Sequence, residues 1–137
     1  MTATATRVGI AVVEHGGAYL VGTRDAAGPL AGYNEFPGGK CRDGESPRDA
    51  AARECLEETG LAVEPVELIE NRAFDYQHAR VDLHFWLCRP VDNGDVAETH
   101  QRFHWVPAEN LASHNFPPAN VAVLDRLISR SNVDRRQ

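Results

Sequence analysis

Residues 53–60 read RECLEETG, three glutamates and an arginine within two turns of a helical pattern. At about 100° per residue, Glu54, Glu57 and Glu58 stand at i, i+3 and i+4 and share an arc of roughly 100°. Ala52, Cys55, Leu56 and Thr59 fall on a comparable arc nearly opposite and are expected to face the core. Like charges at i, i+4 cost an isolated helix about 0.2–0.5 kcal/mol, so the acidic face calls for a compensating positive charge. A solvated face with Arg53 and Glu57 paired at i, i+4 is the plain reading.

The flanking residues favour a ligand instead. Ser46 suits the N-cap, Pro47 the first helical position and Asp49 the capping acid, while Gly60 is a natural left-handed stop. Upstream, Gly38-Gly39 permits close approach of backbone to a ligand, and Glu45 stands just before the helix. Clustered carboxylates suit Mg²⁺ or Mn²⁺ held together with substrate phosphates.

The rest of the chain narrows the class. Its 137 residues make one domain, 1–137, with a core over about 7–130 and a polar, disordered tail at 131–137. The net charge of −6 and the lack of a basic patch argue against polymeric nucleic acid. No apolar run spans a bilayer, and MTATATR reads as neither signal peptide nor anchor, so no membrane is expected. Cys41, Cys55 and Cys88 are an odd set without zinc spacing, as in a reduced, cytoplasmic protein. His100 and His104 have a ligand-like spacing but no cysteine partners, and no zinc role is assigned to them.

Strands are expected at 8–15 and 18–24 around a Gly16-Gly17 hairpin turn, then at 34–41 broken by Pro37-Gly38-Gly39. VEPVELIE and NRAFDY read as further strands. VDLHFWLC alternates, with Val81, Leu83, Phe85 and Leu87 on one face and Asp82, His84, Trp86 and Cys88 on the other. FHWV reads as a short strand and PAENL as a helical turn. A last helix starts near Pro118 and packs through Val121, Val123 or Leu124, Leu127 and Ile128. Strands, helix, strands, helix is a mixed α/β order.

GKCRDGESPRDAAARECLEETGL, residues 39–61, resembles the Nudix box, G-x₅-E-x₇-R-E-U-x-E-E-x-G-U, with U a bulky aliphatic. Gly39, Glu45, Arg53, Glu54, Glu57, Glu58, Gly60 and Leu61 fall on the pattern, and Cys55 departs from it at the first U. The resemblance implies a Nudix α/β/α sandwich with a mixed sheet and the box as loop-helix-loop. It implies hydrolysis of a nucleoside diphosphate linked to another moiety. It further implies divalent ions on Glu54, Glu57 and Glu58 with a backbone carbonyl of Gly38 or Gly39, and Glu45 and Arg53 as supports. Such ions neutralise phosphate charge and acidify water, whose proton a carboxylate accepts. Candidates for that base are Glu57 and a loop glutamate, Glu98, which also counts as a metal ligand. Lys40 is a candidate phosphate contact.

FPPAN, residues 116–120, is similar to the segment before the last helix in MutT-type 8-oxo-dGTP pyrophosphohydrolases, where the asparagine matching Asn120 reads the purine edge. An amide offers both donor and acceptor for that contact. EFPGGK matches as well, with Phe36 lining the nucleoside pocket, and GTRDAA holds Arg24 at a base-contacting position. Asn34 replaces a bulkier residue. Phe74, Tyr76 and Trp86 are either base-stacking or core aromatics. The expected activity is Mg²⁺-dependent cleavage of 8-oxo-dGTP or dGTP to monophosphate and pyrophosphate, cleaning the nucleotide pool. Alternatives are a pyrimidine triphosphate, a dinucleoside polyphosphate or a nucleotide sugar, and, outside enzymes, a non-catalytic ligand sensor.

Overall fold

The first strand, β1 (Thr6–His15), organises the sheet, because three other strands pair with it. The computed structural model describes residues 5–24, 31–76, 79–92, 96 and 102–135. Gly16 and Gly17, both at positive φ, turn the chain into β2 (Ala18–Thr23). β2 pairs antiparallel with β3 (Asn34–Glu35) and with β7 (Phe103–Pro107). β4 (Gly38–Lys40) lies antiparallel on β1, matching Gly39 to Gly9. β5 (Val63–Tyr76) and β6 (Ala79–Pro90) form a long antiparallel pair, and β6 joins β1 in parallel. The path runs β3-β2-β1-β6-β5, a mixed sheet.

Both faces of the sheet are covered. Val12, Phe85 and Leu87 belong to one buried cluster, shared with Val123 and Leu127 of the last helix, α2 (Val121–Arg135). Ala11, Val13 and Cys88 belong to the other, shared with Ala51 and Cys55 of the box helix, α1 (Pro47–Thr59). Strand alternation sends successive side chains to opposite faces, so each helix packs its own layer. This is the α/β sandwich with a mixed sheet. The alternation of β6 holds as expected: Leu83, Phe85 and Leu87 enter the first cluster, Trp86 and Cys88 the second.

α1 starts and stops where its sequence says. The Ser46 side chain accepts a hydrogen bond from Asp49 N, Pro47 opens the first turn, and Gly60 closes the helix at φ 80°. Its buried face differs from the expected one. Leu56 is 51% exposed, while Ala50 and Ala51 are fully buried beside Cys55 and Thr59. The cause is close approach: a Cβ on Gly9 would run into the Pro47 carbonyl and lie 2.7 Å from Ala51 N. Helix backbone therefore rests on strand backbone, and only small side chains fit between them. Cys55 occupies the first aliphatic position of the box fully buried, its Sγ 3.6 Å from Thr59 Oγ1.

Three further expectations are corrected. VEPVELIE and NRAFDY are one strand, β5, whose register shifts at Pro65/Glu67 and Leu68/Glu70. Such bulges absorb the proline and bend the strand without ending it. Val121 is 53% exposed, while Val123 and Leu127 are buried as expected. A short 3-10 turn, Pro118–Asn120, precedes that helix and rotates Val121 outward. Finally, α2 runs through Arg135, so residues 131–135 of the expected disordered tail are helical. Once nucleated against the sheet, each added residue extends a helix at little cost.

Candidate active site

β4 lies close against the carboxylate face of α1 at its glycines. A Cβ on Gly39 would sit 2.5 Å from the carboxyl carbon of Glu54 and 2.7 Å from one of its oxygens. A Cβ on Gly38 would meet the Gly9 carbonyl at 2.6 Å. The glycine pair thus brings strand backbone against the carboxylate face of the helix.

Arg53 is the hub of that face. Its Nε donates to Glu45 Oε2 at 2.8 Å and its Nη2 to Glu45 Oε1 at 2.9 Å, a two-pronged pairing. Nη1 donates to Glu54 at 2.9 Å and to Glu57 at 3.3 Å, and Nη2 also reaches the Lys40 carbonyl at 3.1 Å. The guanidinium therefore binds the loop before the helix, the helix face and the end of β4 together. The Glu45 carboxyl is held down at about 2, first by the Arg53 hydrogen bonds and then by the Arg42 backbone N–H. Arg53 is correspondingly harder to deprotonate, chiefly through Glu45.

Glu58 lies on the inner side, where it accepts a hydrogen bond from Gly38 N at 3.2 Å. Burial pushes its carboxyl up to about 7; the Gly38 N–H opposes this, Glu54 and Glu35 add to it, and Arg102 opposes it. Its charged form lacks full compensation from protein groups.

The chemistry of these residues fits a hard divalent cation. Three carboxylates on one helix face, a glycine-cleared backbone beside them and a desolvated Glu58 are oxygen donors suited to Mg²⁺ or Mn²⁺. Among the described residues, no three acidic, histidine or cysteine side chains are drawn into a ready ligand set. Arg53 engages Glu54 and Glu57 instead, and Arg42 adds a 3.4 Å bond to Glu57.

A second constellation adjoins the first in sequence. Phe36, 5% exposed, stacks on Phe116 with ring centroids 5.0 Å apart at 29°. Asn120 is half-buried in the 3-10 turn, its amide nitrogen 3.4 Å from the Pro117 carbonyl. Arg24 pairs with Glu35 at 3.1 Å, and Arg102 reaches the other oxygen of Glu35 at 2.6 Å. Lys40 is exposed at the end of β4. Phe74 packs on one core cluster and Trp86 on the other, which makes both core aromatics; the side chain of Tyr76 is outside the described residues. Glu98 and His100 also lie outside the described residues, while His104 is exposed on β7, 6.3 Å from the His114 ring.

The structure thus brings Glu45, Arg53, Glu54 and Glu57 into one network with Lys40, and Glu58 against Gly38. Sequence reasoning overlooked Glu35, Arg102 and Phe116. Phe116 and Glu35 stand inside the quoted FPPAN and EFPGGK stretches, so neighbourhood was a usable signal. Arg102 meets Glu35 across 67 positions, and nothing local announces that pairing.

The NUDIX domain family model matches residues 8–126. The 8-oxo-dGTP diphosphatase of Escherichia coli is 30% identical over 122 residues, covering 88% of this chain and 95% of its own. The CTP pyrophosphohydrolase of the same organism is 29% identical over 119 residues, covering 87% and 88%. Among solved structures, the MutT protein of methicillin-resistant Staphylococcus aureus 252 superposes with TM-score 0.75 at 22% identity, covering 94% of this chain and 99% of its own. With its box residues gathered around Arg53 and 119 consecutive positions inside the family model, the chain belongs to the Nudix family of pyrophosphohydrolases.

Proposed function

We propose that the protein hydrolyses 8-oxo-dGTP or dGTP to the nucleoside monophosphate and pyrophosphate, with Mg²⁺ or Mn²⁺ as cofactor. The observation that carries this reading is the stack of Phe36, two residues before Gly38, on the half-buried Phe116, four residues before the half-buried Asn120. Aromatic faces bind a flat base, and an asparagine amide supplies the paired donor and acceptor a purine edge requires. A relative that spans nearly the whole chain bears the name 8-oxo-dGTP diphosphatase, which supports the same choice.

Glu54, Glu57 and Glu58, with a carbonyl of Gly38 or Gly39, hold the cation. When bound, it supplies neutralising charge for the phosphates and Lewis acidity. Arg53 orients Glu54 and Glu57, and Glu45 fixes Arg53. Glu57 or Glu98 accepts the proton of the attacking water, and Lys40 contacts a phosphate oxygen. Arg24, steadied by Glu35, faces the base. A cytoplasmic enzyme acting on free nucleotides accords with the acidic net charge of −6.

A second reading, a pyrimidine triphosphate as substrate, is favoured by the CTP pyrophosphohydrolase relative. The deciding measurement is a steady-state comparison of 8-oxo-dGTP, dGTP and CTP with Mg²⁺ and chromatographic separation of products. The guanine reading expects 8-oxo-dGTP to have the highest kcat/KM. Asn120→Ala should then raise KM for 8-oxo-dGTP about tenfold with kcat little changed, the scale of one lost hydrogen bond in a pocket. A higher kcat/KM on CTP replaces the guanine reading with the pyrimidine one.

A further inference from the structure

Asn34 sits at the junction of two chain segments that are distant in sequence. Its backbone N–H donates to the Asn115 carbonyl at 2.8 Å, and its side-chain Oδ1 accepts from Asn115 N, also at 2.8 Å, across 81 positions. The Nδ2 of the same amide reaches back to β2, 3.4 Å from the Gly22 carbonyl and 3.3 Å from Thr23 Oγ1. One side chain thus ties the 115–120 segment to β3 and to the edge of the sheet. The residues that follow this tie are Glu35-Phe36 on one segment and Phe116 on the other, and the two phenylalanine rings stack.

Phe116 is further held by its stack on Phe36 and its packing on the first core cluster. Asn120 makes a 3.4 Å bond within its own turn, and Phe116 is half-buried. Ala119 anchors the segment to the core below, at 7% exposure, but a single alanine contributes little area. Two short hydrogen bonds at Asn115 set the height and direction of the segment just before Phe116. A leucine or tryptophan at position 34 could not accept from Asn115 N, so the tie depends on the residue type.

From this geometry we infer that Asn34 is a positioning residue for nucleotide recognition: it holds the 115–120 segment, with Phe116 and Asn120, in place against β3. The inference rests on the proposed use of these residues for the base. Holding the segment in place removes an ordering cost otherwise charged to binding, so its loss appears in KM and not in the chemical step.

The test uses Asn34→Ala and Asn34→Asp in the full chain. Asn34→Ala removes all three side-chain bonds; Asn34→Asp keeps an acceptor for Asn115 N but cannot donate to β2. KM and kcat are measured on both 8-oxo-dGTP and CTP, alongside hydrogen exchange at the Asn115 amide. Asn34→Ala is expected to raise KM about tenfold on the better substrate, keep kcat within about twofold and speed Asn115 exchange. Asn34→Asp should restore most of both. An unchanged KM, or a higher KM without faster Asn115 exchange, overturns the inference. A purely structural role would lower the melting temperature and leave the KM of folded enzyme unchanged. If the alanine variant does not fold, the aspartate variant decides: wild-type exchange with KM within about threefold supports the tie, and a larger KM loss overturns it. A preference for CTP sinks the guanine reading alone, since the positioning role is then read from the CTP KM and the same amide.

Discussion

The carboxylate face of α1 and the aromatic slot around Phe36 are joined in the chain by Pro37, Gly38 and Gly39, yet they rest on opposite kinds of force. At α1, Glu54 and Glu57 of the helix and Glu45 of the loop before it converge on one guanidinium, with Glu58 against a backbone N–H. In the slot, two phenylalanine rings and the amides of Asn34 and Asn120 carry no charge. The first region responds to cations, pH and salt; the rings and amides of the second respond to shape and to the loss of single hydrogen bonds. Rate and base selectivity should therefore be separable by mutation.

The most severe break is expected on the charged side. Glu57→Gln keeps the shape of the side chain but removes a charge that holds cation or accepts a proton. A loss on the order of a thousandfold in kcat follows, with the ranking of substrates by kcat/KM kept. Unaltered hydrolysis would remove Glu57 from the machinery. A wholesale change in substrate ranking would show that the two regions are not independent.

Arg53→Lys sharpens the same contrast at smaller scale. A lysine offers a point charge where the guanidinium makes five hydrogen bonds to four residues. Supporting residues of this kind typically carry 10- to 100-fold in activity, so kcat should fall by about that factor while KM moves little. The melting temperature should fall too, because Glu45 loses its two-pronged partner. Activity within about threefold of wild type would mean that the carboxylates hold their positions without the hub.

These two regions also differ in how far the sequence revealed them. The box has fixed spacing within one helix and its flanking loops, and helix periodicity alone places Glu54, Glu57 and Glu58 on one face. Ser46 and Gly60 mark the ends by local chemistry that needs no tertiary context. The buried face of α1 was misread, because Leu56 outranks Ala51 in hydrophobicity but cannot fit against Gly9. That preference is set by another element. The slot region draws on residues 22–23, 34–36 and 115–120, and the bond from Asn115 to Asn34 spans 81 positions. Motif likeness pointed to Phe36 and Asn120, yet the tie at Asn34 and the Arg102–Glu35 pair have no local signature. The long β5 reads in sequence as two strands, VEPVELIE and NRAFDY, and the register shift at Leu68/Glu70 lies next to that division.

The smallest expected effect lies in acid, and it separates the support of the charged site from its chemistry. The Glu45 carboxyl sits at about 2 in the folded protein, against an ordinary value of 4.5, mainly through its bonds to Arg53. A carboxyl held down by folding contributes stability above its unfolded value, and that contribution drains as pH falls from about 4.5 towards 2. Other paired carboxylates titrate over the same range, so the informative quantity is the difference between wild type and Glu45→Gln. Urea midpoints measured at pH 6, 4 and 2.5, with metal chelated throughout, should fall more steeply for wild type, the two curves converging at the acid end. Glutamine cannot titrate, so its curve lacks the Glu45 share of the slope. Parallel curves would mean that the Glu45–Arg53 pair contributes no pH-dependent stability. The aromatic slot offers no matching acid limb, since neither ring nor amide gains a proton there.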